Sequence, residues 1–146
     1  MSLIRLIYVS TACHEATTAE LDAILASAVR RNEADGVTGM LVYADGGFMQ
    51  VLEGEEEAVD ATFRRVERDS RHTDVFVLER APIPERSFGR WSMGLRRIGP
   101  NDAARNPAYA PFFGGGFNAR KIRARPGLAL DMLTEFARGS ALGAVR

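Results

Sequence analysis

Three uncharged polar side chains, Tyr8, Asn32 and Gln50, each fall on an otherwise apolar face. Tyr8 shares a strand face with Ile4 and Leu6 in the run LIRLIYVS. Gln50 lies in the second arm of GMLVYADGGFMQVLEG, residues Gly39–Gly54, where alternation puts Phe48, Gln50 and Leu52 on one face and Met49 and Val51 on the other. Asn32 follows Ala28 by four positions and Leu25 by seven, so it extends a helical stripe. A phenol and two carboxamides offer donors and acceptors without formal charge. A buried amide left unpaired costs about 1–3 kcal/mol, so a converging set demands a partner. Such a set suits a flat, hydrogen-bonding, largely apolar ligand held between two helices. It does not suit a metal or a naked phosphate. Taken singly, each residue also has a plain reading: Gln50 facing outward on an edge strand, Tyr8 as a core tyrosine, Asn32 in a helix C-cap.

Other chemistries find little support. No charged acid–base pair and no nucleophile–histidine pair stands out, so ordinary hydrolysis is not expected. No glycine-rich phosphate loop of the Walker or Rossmann kind occurs. Asp69 and His72 make a poor metal site in a chain with one cysteine and one other histidine. Trp91 and Met93 read alone as core packing.

The totals agree. The chain has 146 residues, enough for one domain with an extension and a core that needs no staples. Lysine plus arginine equal aspartate plus glutamate at 19 each, which gives no electrostatic case for nucleic acid or an anionic membrane. Cys13 is the single cysteine, so no internal disulfide forms, as suits a reducing cytosol. The apolar run Leu3–Val9 is interrupted by Arg5 and is too short for a signal segment, and nothing approaches a membrane span. A soluble, cytoplasmic protein is expected.

The elements that must position the three groups come in order along the chain. Leu3–Ser10 is apolar on both faces and predicts a central strand. Thr17 or Thr18 caps a helix running to about Asn32, with Leu21, Ile24, Leu25, Ala28 and Val29 as its stripe. Asp45-Gly46-Gly47 turns a β-hairpin. Glu55–Glu57 open a second helix with Val59, Phe63 and Val66 buried; Arg64, Arg65, Glu67 and Arg68 form its solvated face. Asp74–Arg80 is a strand ended by Pro82 and Pro84, and Trp91–Arg97 is a fifth strand with Trp91, Met93 and Leu95 on one face. The order β-α-β-β-α-β plus one strand is the ferredoxin-like α+β pattern, with two helices on one sheet face. Residues 1–98 form that unit. Residues 99–146 form a helical extension covering the helix-free sheet face or a partner, with Pro126–Arg138 as its main helix and Asp102–Arg105 as one helical turn. In this fold Tyr8, Gln50 and Asn32 converge beneath the helices, where a flavin ring would fit.

At these residues the sequence resembles the BLUF family, blue-light sensors using FAD. The resemblance covers about residues 3–97. It is carried by LIYVS with Tyr8, the Asn32 helix end followed by DGVTGMLVY, GGFMQVLEG with Gln50, RDSRH at Arg68–His72, and RWSMG with Trp91 and Met93. The resemblance implies FAD as cofactor. It implies Tyr8 as electron and proton donor to the excited flavin, and Gln50 between the Tyr8 hydroxyl and flavin N5/O4. Asn32 would bind the ring's O4/N3 edge. Ser10, Phe48, Asp69, Arg71 and His72 match positions near the flavin, with Arg71 on its pyrimidine side. Trp91 and Met93 would shift near Gln50. The implied cycle leaves the Gln50 side chain rotated or tautomerised, with a small reversible red shift and no chemical turnover.

On that reading the protein is not an enzyme. No output domain fits in the remaining residues, so the signal is expected to leave in trans, to a downstream protein or through an altered homo-oligomer. The rivals are a light-independent flavin enzyme using Tyr8 as an acid and a plain interaction module of ferredoxin-like fold.

Overall fold

The computed structural model describes residues 2–90, 92–99, 107–112 and 117–139. Strand β1 spans Leu3–Ala12, helix α1 Thr18–Asp35, β2 Thr38–Ala44, β3 Gly47–Glu55, α2 Glu56–Glu67, β4 His72–Pro82 and β5 Gly94–Ile98. A 3-10 turn, Ala110–Phe112, leads to two further helices, α3 Ala119–Arg123 and α4 Leu128–Gly139. The strands order as β4-β1-β3-β2-β5. β1 and β3 are therefore interior strands, and Gln50 is not on an edge.

Local chemistry sets the ends. Thr17 Oγ1 accepts from Glu20 N (3.1 Å) and Glu20 Oε1 accepts from Thr17 N (3.0 Å), a reciprocal cap for α1. The helix continues three residues past the expected end at Asn32, to Asp35, because Gly36 takes the left-handed conformation (φ 72°) and its N–H closes on Asn32 O. The hairpin turns on Asp45 (φ 46°) and Gly46 (φ 83°), both left-handed as a two-residue turn requires.

β1 pairs antiparallel with β3, setting Tyr8 opposite Gln50. It also pairs antiparallel with β4, and β2 pairs parallel with β5 from Met40↔Gly94 onward. Both sheet faces are buried. Ile4, Leu6, Tyr8, Leu41, Phe48 and Leu52 pack with Leu21 and Leu25 of α1 and Val59 of α2. Ile7, Val9, Met40, Val42, Met49 and Val51 pack on the other side with Ile122 of α3 and Leu128, Met132, Leu133 and Phe136 of α4.

Other boundaries differ from expectation as well: β1 runs on to Ala12, and β4 spans His72–Pro82, two residues beyond Asp74–Arg80 at each end. β5 starts at Gly94, so Met93 precedes the strand instead of lying in it. The cause is Ser92, whose carbonyl accepts from Asn32 Nδ2 (2.9 Å) and is thereby committed to α1. The last helix starts at Leu128, after the left-handed Gly127, and not at Pro126. Trp91, Pro100, Phe113, the glycines Gly114–Gly116 and the turn expected at Asp102–Arg105 lie outside the described residues.

Candidate functional site

A cleft open to solvent runs between α1 and α2 above β1 and β3. Tyr8, Phe48 and Gln50 form its floor, and Asn32 contributes from the last turns of α1. Asp69, Arg71 and His72 line it from the segment after α2.

At the floor the polar groups form a chain. Tyr8 Oη donates to Gln50 Oε1 (2.5 Å), and Gln50 Nε2 donates to Met93 Sδ (3.3 Å). The cross-strand register places the first pair, since opposed residues on neighbouring strands present their side chains to each other. Gly39 beside Met93 lets the β2 and β3 backbones approach closely, since an added Cβ would stand 1.9 Å from Val51 O. Tyr8, Asn32 and Gln50 are 3%, 2% and 5% exposed. Two of them depart from their plain readings: Gln50 faces the core, and Asn32 is a buried side chain bonded to a neighbouring loop; Tyr8 is a core tyrosine whose hydroxyl is bonded to Gln50.

Burial pushes the Tyr8 hydroxyl well above the ordinary phenol range, and the negative charge of Asp69 adds to the effect. Its proton therefore stays on Oη at physiological pH. Asp69 is chelated by Arg71, whose guanidinium bonds hold the carboxyl below the usual carboxylate range. His72 ties β1 to α2: one ring nitrogen meets Ser10 Oγ (2.7 Å) and the other Val66 O (2.6 Å). Ser10 thus acts through His72, and the ring stands edge-on to Tyr8 and Phe48 at 6.2 Å between centroids.

Of the expected residues within the described part, Tyr8, Asn32, Phe48, Gln50, Asp69, Arg71 and His72 line the cleft, whereas Ser10 and Met93 do not line it and contact its lining residues His72 and Gln50. Several lining residues go beyond the expected set. Arg65 reads in the sequence as part of the solvated face of α2, yet it lines the cleft and donates to Asp35 Oδ2 (3.1 Å) and Thr62 Oγ1 (3.3 Å), spanning α1 and α2. Ser27, Ala28 and Thr62 also line it, and their small size leaves the space open. The pairing of Ser27-Ala28 on the inner side of α1 is the signal that could have found them. Among the described residues no group of His, Cys, Asp and Glu is placed to hold a metal, and no helix is long and apolar enough to cross a membrane.

Comparison with known proteins agrees with this geometry. A family model for sensors of blue light using FAD matches residues 3–94. The photoactivated adenylate cyclase subunit beta of Euglena longa is 38% identical over 93 residues, 63% of this chain and 11% of its own length. The chain thus spans about a tenth of the length of such curated relatives. The structure of BlsA in its photo-activated state matches with a TM-score of 0.77 at 29% identity, over 92% of this chain and 94% of that one. The dark-state structure of BlrB, a BLUF protein, matches with a TM-score of 0.75 at 27% identity, over 94% and 97%. With the family model covering most of its length, the α+β chain built around Tyr8 and Gln50 belongs to the BLUF family of blue-light sensors.

Proposed function

We propose that this blue-light sensor holds FAD in the cleft between α1 and α2, and that Tyr8 and Gln50 turn absorbed light into a rearranged hydrogen bond. The observation that carries the reading is the buried chain Tyr8 Oη–Gln50–Met93 Sδ along the cleft floor. The residues fit a flavin ring. Among the described residues, Asn32 Oδ1 and one N–H of Gln50 lack a partner although both side chains are buried, and both line the cleft. A ring edge of alternating donors and acceptors would satisfy them. Asn32, Gln50 and the Asp69–Arg71 pair would hold that edge, with Phe48 and His72 alongside.

When bound, the flavin supplies absorption of blue light and an excited state that takes up an electron and a proton. Tyr8 enters as a neutral phenol. Loss of an electron would make the Tyr8 phenol a far stronger acid, so its proton would leave along the hydrogen bond already aimed at Gln50 Oε1 while a Gln50 N–H would give one on towards the bound ring, the amide carrying the proton without keeping it. Gln50 has two arrangements of its amide. In the observed one, oxygen faces Tyr8 and nitrogen faces Met93. Reversal sets Oε1 against Met93 Sδ, acceptor against acceptor, so Met93 biases the pair towards the first. A bistable amide with a small bias is what a reversible switch requires.

The proposal extends to organisation. Residues 1–98 serve as the photosensory unit, and residues 99–146 carry the signal to an effector in trans, in the cytoplasm and without turnover by this chain. Support comes from the packing of α3 and α4 against the sheet face opposite the cleft.

The test is an absorption spectrum before and after blue light. A flavin spectrum that shifts slightly to the red and relaxes in darkness is expected. Irreversible bleaching would favour redox enzymology, and no flavin after reconstitution with FAD would defeat the reading. Asn32→Ala should weaken FAD retention about 10-fold, the equivalent of one buried hydrogen bond of about 1.4 kcal/mol, measured by titration of the apoprotein. Unchanged affinity and spectrum would return Asn32 to a purely structural role.

A further inference from the structure

Glu53 is fully buried on β3, three positions beyond Gln50 and on the opposite sheet face. Its carboxylate meets Arg5 and two backbone N–H groups. Oε2 accepts from Arg5 Nε at 3.0 Å and from Ser87 N at 3.1 Å, and forms an ion pair with Arg5 Nη2 at 3.0 Å. Oε1 accepts from Phe88 N at 2.6 Å. Arg5 Nη2 also donates to Ser87 Oγ (2.8 Å). Arg86, one residue earlier, bonds Glu53 O, Thr38 Oγ1 and Gly36 O. The loop after β4 is therefore clamped to the sheet at residues 86–88.

Beyond the clamp the packing changes sides. Phe88 packs in the core under α3 and α4, whereas Met93 packs in the core beneath α1 and α2. At the far end the chain is fixed by the Met40↔Gly94 pairing. Just before that pairing it delivers Ser92 O to Asn32 and Met93 Sδ to Gln50. Ser92 and Met93, close in sequence to the clamped Ser87 and Phe88, thus bring a backbone and a side-chain contact to the carboxamides of the cleft.

We propose that Glu53 is a positioning residue for the light switch: locked by Arg5, its carboxylate fixes Ser87 and Phe88 and so sets how Met93 meets Gln50. The inference rests on the role given to Gln50 above. Met93 biases the Gln50 amide only while its sulfur is held in place. A loosened clamp removes part of that bias, and the rearranged amide then persists longer.

The test compares the FAD-loaded wild type with Glu53→Gln, Ser87→Ala and, as control, Glu56→Gln. Glu53→Gln puts an amide N–H against donors. Ser87→Ala removes only the Arg5 bond to the hydroxyl and keeps the ion pair, so it reports even if the first variant fails to fold. Glu56 is an exposed partner of Arg80 and touches neither the clamp nor the cleft. Dark recovery after a blue flash is expected to slow about tenfold in Glu53→Gln, less in Ser87→Ala and not in Glu56→Gln. A second readout needs no photocycle. The Met93 methyl resonance, in protein labelled at methionine methyls, should shift or broaden in Glu53→Gln and Ser87→Ala alone. Wild-type recovery with an unmoved Met93 methyl in the folded clamp variants overturns the inference. A wild type that binds FAD but does not cycle defeats the Gln50 reading instead, and the methyl resonance still reports on the clamp.

Discussion

Tyr8→Phe is expected to keep the flavin and abolish the reversible red shift. The substitution removes one oxygen and leaves the ring among the same neighbours, with Phe63 at 5.6 Å and His72 at 6.2 Å between centroids. Cleft shape is preserved, so FAD absorbance per protein should match the wild type. The phenolic proton that bonds Gln50 Oε1 is gone. The lost partnership should also cost about 1–3 kcal/mol of stability, since Gln50 stays buried with an oxygen unsatisfied. Difference spectra after blue light and urea unfolding of the loaded protein check both parts. A normal photocycle in this variant would remove Tyr8 from the mechanism.

Gln50→Leu is the second large effect. Leucine matches the apolar company of Phe48 and Leu52 on that face, so the fold should survive. The photocycle should not, because nothing then receives the Tyr8 proton or presents two hydrogen-bonding arrangements. Here the Tyr8 hydroxyl is the orphan, again costing about 1–3 kcal/mol. The combination Tyr8→Phe with Gln50→Leu removes both partners of the bond and leaves neither unsatisfied. It should therefore be more stable than either single variant, even though all three are blind. Strictly additive losses would show that the two groups are not coupled, contrary to a direct bond between them.

The site is legible in the sequence where each group's face can be computed locally. Tyr8 and Gln50 come from two-residue alternation, and Asn32 from helical spacing. Their convergence needs only the strand order of the fold. What stays hidden depends on contacts distant in sequence. Arg5 and Glu53 are 48 positions apart and each resembles a stray charge in an apolar strand. Only the register of β1 and β3, which pairs them across the sheet, makes them a buried unit. Arg65 escapes for the same reason: its partner Asp35 lies on the other helix. The start of β5 is hidden differently. The alternation in Trp91–Arg97 is that of a strand, but alternation cannot show that a carbonyl at Ser92 is already taken by a side chain.

The sheet with two buried faces has a consequence for grafting. Residues 3–94 carry the family's recognisable pattern and the buried chain from Tyr8 through Gln50 to Met93. Yet a segment cut to that length would bare Ile7, Val9, Met40, Val42, Met49 and Val51, which α3 and α4 now cover. The portable unit is larger than the recognisable one. Any fusion that borrows this sensor must bring its own apolar lid for that face, and the choice of lid becomes the choice of what the light signal moves.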